Sequence, residues 1–131
     1  MFIVRTSLQY SPIHGIGVFL KEPVYKGQVV WRFDPRVDVA IPVSEFKNFP
    51  PAVQDYLKTY TYIVPMNGQR MMILCADNSK HVNHADVPNL IDTPDGLQEV
   101  AARDIAAGEE LTCNYFASDL EAAAKLGREN A

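Results

Sequence analysis

Cysteine is scarce in this sequence. Cys75 and Cys113 are the only two among 131 residues, and they are not spaced as a CxxC pair. A disulfide framework or a cysteine-rich metal site is therefore excluded as the organiser of the fold, and the usage suits a reducing compartment. Long apolar runs are absent too. No stretch approaches the ~18–20 apolar residues that span a bilayer, and Met1-Phe2-Ile3-Val4-Arg5 lacks the extended apolar segment of a secretory leader. Charge of one sign never accumulates: 12 basic and 16 acidic residues are scattered to a net −4, without the basic patch of a nucleic-acid binder. There is no internal repeat, linker or low-complexity tract. These absences predict one cytoplasmic domain over residues 1–131, with no membrane and no direct nucleic-acid partner.

What is present is a core-forming chain. Its hydrophobic share of 47% is enough to fold without a metal or a disulfide. Short segments rich in β-branched and aromatic residues, Phe2–Arg5, Ile16–Leu20 and Gln28–Phe33, read as strands separated by Gly or Pro turns. Asn67-Gly68 predicts a two-residue hairpin turn joining Tyr60–Val64 to Arg70–Cys75, and Asp95-Gly96 predicts another between Asn89–Asp92 and Leu97–Arg103. Further turns fall at Tyr25-Lys26-Gly27 and Ala106-Ala107-Gly108. After Pro50-Pro51, the residues Val53, Tyr56, Leu57 and Tyr60 lie at helical spacing and predict a helix packed on a sheet. Ser118 and Glu121 have capping-box spacing ahead of Ala-rich sequence and Gly127, predicting a helix over Ser118–Leu126. The fold class is mainly β, with one or two short helices.

Three segments carry candidate chemistry. Ser11-Pro12-Ile13-His14-Gly15-Ile16-Gly17-Val18-Phe19 is a GxG running into a strand; glycine lets a ligand approach the backbone. It lacks the third glycine and following helix of a dinucleotide fingerprint, and a bare GxG is more often a turn. Asp77 to Leu90 packs His81, His84, Asn78, Asn83, Asn89 and Pro88 into one short polar stretch. Such side chains offer donors and acceptors to a polar ligand, though an Asx-rich surface loop fits the composition equally well. Ala102 to Tyr115 reads as strand, turn and strand, with Glu109 and Glu110 solvated. His81-x-x-His84 has no further ligand pattern, so no metal site is assigned. Cys75, in a Met-Met-Ile-Leu strand, reads as core, as does Trp31 with Phe33.

Taken together and in order, the three segments resemble the SET-domain protein-lysine methyltransferases. Gly15-Ile16-Gly17 looks like that family's first cofactor motif, Asn83-His84 with Pro88-Asn89 like its "NHS…PN" motif, and Gly108-Glu109-Glu110-Leu111-Thr112 with Tyr115 like its "GEELT…Y" motif. Val18-Phe19, Lys26-Gly27 and Ala102-Arg103-Asp104-Ile105 agree as well. The likeness covers residues 10–117, leaving 118–131 as a helical extension, and is nearest to the small bacterial and viral members.

The resemblance implies a β-clip fold of small curved sheets, with a C-terminal pseudoknot that brings the second and third motifs together. It implies S-adenosylmethionine as cofactor, contacted through the backbone by Ile16 and Gly17 and held by Asn83 and His84. Tyr62 takes a place where the family has a cofactor- or lysine-facing tyrosine. Tyr115 is implied as the catalytic residue. A phenol, ordinarily near pKa ~10, is a poor base at neutral pH, so its role is to orient the amine and sit beside developing charge. The partner implied is a protein or peptide with an accessible lysine. The sequence departs from the family at Lys80-His81, where Arg-Phe is usual, at Ala85, where Ser is usual, and at Cys113, where several members place an aromatic. His81 and Ala85 keep a second reading open, a SET-like module that binds peptides without transferring methyl groups. Methylation of a small molecule is a third.

Overall fold

The computed structural model describes residues 1–115. They form small sheets. β1 (Thr6–Tyr10) and β2 (Ile16–Leu20) make an antiparallel hairpin in register from Thr6↔Leu20 to Tyr10↔Ile16. β3 (Val29–Arg32), β8 (Leu90–Asp92) and β9 (Gln98–Ala101) form a sheet in the order β3-β9-β8. β4 (Val39–Pro42), β5 (Thr61–Met66) and β6 (Gln69–Leu74) form another, ordered β4-β6-β5. β7 (Asn83–His84) and β10 (Thr112–Cys113) pair in parallel, Thr112 with Asn83 and Cys113 with His84. That last pair is the crossing by which the end of the described chain reaches the second motif.

Local chemistry explains most of these elements. At the β5–β6 hairpin Asn67 has φ 52 and Gly68 φ 77, the two positive values that a type I′ turn demands. The Asp95-Gly96 hairpin turns differently from the expectation. Only Gly96 has positive φ, at 73, and its amide donates to the Thr93 carbonyl at 2.9 Å while Thr93 N donates to Gln98 O. Pro94 holds the second position of that turn, where a ring-fixed φ favours type I geometry, so the loop runs longer than two residues.

Other expectations at the edges also need correction. The first strand is Thr6–Tyr10, whereas around Phe2–Arg5 there is only a bridge from Phe2 to Trp31 and a bond from Ile3 N to Val30 O. Thr-Ser-Leu-Gln-Tyr has no clean apolar alternation, and Tyr10 is 93% exposed; pairing with β2 makes it a strand, a tertiary effect that local pattern does not carry. β4 was also unmarked in sequence, and its closing Pro42 is tolerated because β4 is a sheet edge.

α1 (Pro51–Tyr60) starts with proline in the first turn, where the missing amide costs nothing. Of its expected apolar stripe only Leu57 is buried, against Ile63 and Met72. Tyr56 is exposed and stacks on Tyr60 at 4.7 Å between ring centroids. Two 3-10 segments, Val43–Asn48 and Asn78–His81, complete the description; the expected Ser118–Leu126 helix lies outside the described residues.

The main core gathers Val18, Leu20, Val24, Val30, Val82, Leu90, Ala101, Ile105 and Leu111 from both ends of the chain. Trp31, Val64, Ile73 and Cys75 form a second cluster, with Cys75 in the core as its sequence context suggested. Ile73 is wholly buried. Ile73→Ala is expected to cost about 2–5 kcal/mol, read as a shift of the urea midpoint at unchanged slope.

Candidate active site

The first glycine turn is held from inside. Ser11 N donates to Gly15 O at 2.8 Å, Ile13 N donates to Ser11 Oγ at 3.0 Å, and Gly15 takes φ +48. The Ser11 hydroxyl then donates to the Glu110 carboxylate, 2.8 and 2.9 Å from its two oxygens. Asn83, 7% exposed, directs its amide nitrogen into the same cluster. It lies 2.9 Å from Glu110 Oε2, 3.0 Å from His14 O and 3.2 Å from both Ile16 O and Ser11 Oγ.

Glu110 therefore links the first and third motifs, with the second inserted between them. Gly17 completes the arrangement. A Cβ at Gly17 would run into the Glu110 carboxylate, whereas one at Gly15 would meet nothing within 4 Å. The two glycines serve different purposes: Gly17 admits the protein's own carboxylate, and Gly15 leaves open space beside the turn.

Asn89 fastens the third motif from the other side. Its amide donates to Glu110 O at 2.8 Å, its carbonyl accepts from Thr112 N at 2.8 Å, and its backbone N–H donates to Thr112 Oγ1 at 3.1 Å. Tyr115 emerges just beyond β10. Its N–H donates to His84 Nδ1 at 3.1 Å and its hydroxyl donates to Val82 O at 2.7 Å. With Nδ1 accepting, the other nitrogen of His84 carries the proton toward Asp86 Oδ1 at 2.8 Å. The His84 and Tyr115 rings meet edge-on at 5.3 Å.

Two cavities meet at Tyr115. The larger is a cleft of about 1410 Å³, lined by Gly15, Ile16, Asn83 and His84 on one side and by Phe46, Leu57 and Tyr60 on the other. The smaller, about 90 Å³, is lined by Trp31, Tyr62, Asp92, Glu99 and Cys113. Tyr115, Tyr60 and Lys80 line both. Among the residues singled out in the sequence, Ile16, Asn83, His84 and Tyr115 are thus brought to the cleft. Gly17 sits behind it against Glu110, and Tyr62 lies in the smaller pocket.

A family model described as the SET domain matches residues 15–116. The chain belongs to the SET-domain family. Among solved structures it is similar to a humanized mutant of the Chaetomium thermophilum Polycomb Repressive Complex 2 bound to the inhibitor GSK126, with a TM-score of 0.68 and 20% identity over 92% of this chain. It is similar also to ctPRC2 in an autoinhibited conformation bound to S-adenosylmethionine, at TM-score 0.67 and 20% identity over 95% of this chain. In each case the match spans only 16% of the other chain. A Plasmodium falciparum candidate histone methyltransferase, PFL0690c, matches at TM-score 0.57 and 20% identity, covering 86% of this chain and 93% of that one. No curated protein sequence matches.

Several residues of this SET-domain site stood in the motifs without a role read from sequence. Ser11, Asn89 and Glu110 hold the motifs together, and Glu110, expected in solvent, is instead bonded to Ser11 and Asn83; Asp92 and Glu99, which line the smaller pocket, were not singled out. Glu109, which looks identical to Glu110 in sequence, turns outward to Arg103 at 3.3 Å. Burial pushes the Cys75 thiol up to about 12, which leaves it protonated and unreactive. Burial also raises the Tyr62 phenol, reinforced by Cys75, Glu99 and Asp92 nearby. The Glu99 carboxyl is raised as well, first by burial and then by Asp92, its register partner across β8 and β9.

A carboxyl raised in the folded state weakens folding as pH climbs. The penalty is absent below the ordinary carboxylate pKa and grows until the raised value is passed. Glu99→Gln is therefore expected to raise the melting temperature more at pH 8.5 than at pH 4 (about those values), measured by calorimetry in matched buffers.

Proposed function

We propose that this SET-domain chain is an S-adenosylmethionine-dependent protein-lysine N-methyltransferase, acting in the cytoplasm on a protein or peptide with an accessible lysine. One observation carries the reading: Tyr115 stands in the wall shared by two cavities of unlike size and lining. A group transfer between two substrates needs them to meet with the reacting atoms aligned.

The larger cleft suits the cofactor. Its volume exceeds the few hundred Å³ that small-molecule sites commonly offer, and the open space beside Gly15 would be filled by any side chain placed there. Ile16, Asn83 and His84 line it, so the turn's backbone edge and two polar side chains would hold the polar parts of the cofactor. The cofactor supplies a methyl group on a sulfonium, which makes alignment of the amine the protein's principal task.

Tyr115 serves that alignment. Its proton is committed to Val82 O, which fixes the direction of the phenol. Its position is set twice over, by Val82 through the hydroxyl and by His84 through the backbone. The tip of a lysine side chain fits the smaller pocket, whose walls include Trp31 and Tyr62.

The full chain is expected to bind S-adenosylmethionine in isothermal titration calorimetry and to transfer tritiated methyl groups to proteins of the host lysate. Tyr115→Phe should keep most cofactor affinity while losing most turnover; unchanged turnover would remove Tyr115 from the chemistry. Asn83→Ala should weaken cofactor binding by ~1–3 kcal/mol. It should also lower the melting temperature, because the same amide anchors Glu110. A chain that binds peptides but neither binds cofactor nor transfers methyl groups would be the silent module instead.

A further inference from the structure

The two walls of the large cleft differ in charge. One is the first glycine turn with Asn83 and His84; the other is built from the 3-10 segment Val43–Asn48 and the end of α1. Each of those two segments contributes an apolar residue followed by a lysine, Phe46-Lys47 and Leu57-Lys58. Leu57 is buried, and both lysines are exposed. The Lys58 ammonium lies 5.7 Å from the centre of the Phe46 ring, which joins the two segments into one surface. Both lysines stand in the last turn of their helices, where the backbone dipole favours a cation.

Nothing acidic answers this wall. The chain carries 16 acidic residues and a net charge of −4, yet among the described residues no Asp or Glu lines the cleft. Lys47, Lys58 and Lys80 all line it, and among the described residues none of the three is ion-paired. Glu45 and Asp55 belong to the same two segments and do not line the cleft; Glu45 accepts from Asn48 Nδ2 at 3.1 Å. Burial and then Lys80 lower the His81 imidazole from its ordinary pKa, so at neutral pH the charge here is that of the lysines. A cleft lined by one sign of charge focuses its field and attracts the opposite sign.

We infer that the Lys47 and Lys58 wall selects an acidic peptide substrate, one whose acceptor lysine is flanked by aspartate or glutamate. That the peptide is a substrate rests on the methyltransferase reading; the attraction of the wall for an acidic segment does not. The cleft has the room, since its volume of about 1410 Å³ exceeds what small-molecule sites commonly offer, and the lysines stand across from the glycine turn. Phe46 and Leu57 give apolar surface to the stems of the peptide's side chains, while the ammonium groups meet its carboxylates. A basic tail meets like charge there, and that repulsion is half of the selection. A nucleic acid binds by having many phosphates neutralised, and a chain of net charge −4 repels a long polyanion.

Fluorescence anisotropy of labelled peptides with the full chain, without cofactor, reads this selection directly. Three peptides of equal length carry a single central lysine flanked on both sides by glutamate, by glutamine or by arginine. At low salt the glutamate peptide should bind about ten-fold more tightly than the glutamine peptide, each exposed ion pair giving up to about five-fold, and the arginine peptide should bind most weakly. The difference should close at about 500 mM salt, where screening is strong. Lys47→Gln and Lys58→Gln should each reduce the preference by about two- to five-fold. The double reversal Lys47→Glu with Lys58→Glu should invert it in favour of the arginine peptide, a result that loss of fold cannot produce. Both side chains are exposed, so the melting temperature should hold in every variant.

Equal binding of the three peptides, or a glutamate preference that survives the double reversal, would overturn the inference. So would tighter binding of a single-stranded DNA oligonucleotide of equal charge, which would make the wall a phosphate site. Calorimetry with S-adenosylmethionine and tritium transfer to the same peptides separate the two ideas. Glutamate preference with neither cofactor binding nor transfer would sink the methyltransferase reading and leave the acidic-peptide wall intact. Cofactor binding with equal transfer to all three peptides would sink the wall's selectivity alone.

Discussion

The Glu110 carboxylate is the junction on which the site depends. It accepts from Ser11 in the first motif and Asn83 in the second while belonging to the third. Its own carbonyl is meanwhile taken by the Asn89 amide. A single residue is thus gripped by two asparagines, one at its side chain and one at its backbone. Hydrogen bonds to an ionised acceptor are stronger than neutral ones, and here they cross long sequence separations. They replace what regular structure cannot supply. β7 and β10 are each two residues long, far too short to fix a register unaided.

The consequence is carried to Tyr115 through a short rigid path. Asn89 holds Thr112, Thr112 pairs with Asn83, and Cys113 O accepts from Ala85 N at 3.0 Å. By the time the chain reaches Tyr115, its direction has been set by contacts on both sides, and His84 and Val82 fix the phenol itself. Alignment of reacting groups can supply about 7–11 kcal/mol in well-oriented model reactions. A site that relies on alignment must place its tyrosine with small error. The density of polar contacts around residues 83, 89 and 110 is what such accuracy requires.

Much of this was legible in sequence, and the unread parts share a cause. The order of the three motifs, the Asn67-Gly68 turn and the proline-led α1 follow from local rules or from the resemblance. What stayed hidden is set by partners far away in the chain. Glu109 and Glu110 are neighbours of one type, yet one faces Arg103 and the other Asn83; strand parity near β10 separates them, and composition does not. β1 is a strand because β2 lies beside it. Asp92 and Glu99 look like ordinary hairpin acids until the β8–β9 register sets them opposite one another. Ala85, where the family usually has serine, donates its N–H to Cys113 O, a bond indifferent to the side chain.

The two cavities place opposite demands on the fold, and the chain meets them with different materials. The cleft borders the backbone of the first glycine turn, Asn83, whose amide is already taken up within the protein, and the lysines Lys47, Lys58 and Lys80. The smaller pocket instead retains the unpartnered Tyr62 hydroxyl and the Glu99 carboxyl, raised first by burial and then by Asp92. The raised Glu99 carboxyl weakens the fold as pH climbs, the reverse of what a packed apolar side chain does. Ile73 and Cys75, in the cluster that includes Trp31, are buried. A buried hydroxyl without a partner costs the fold, and here it stands in the wall of the small pocket that Tyr115 also lines, beside the cluster of Trp31, Val64, Ile73 and Cys75.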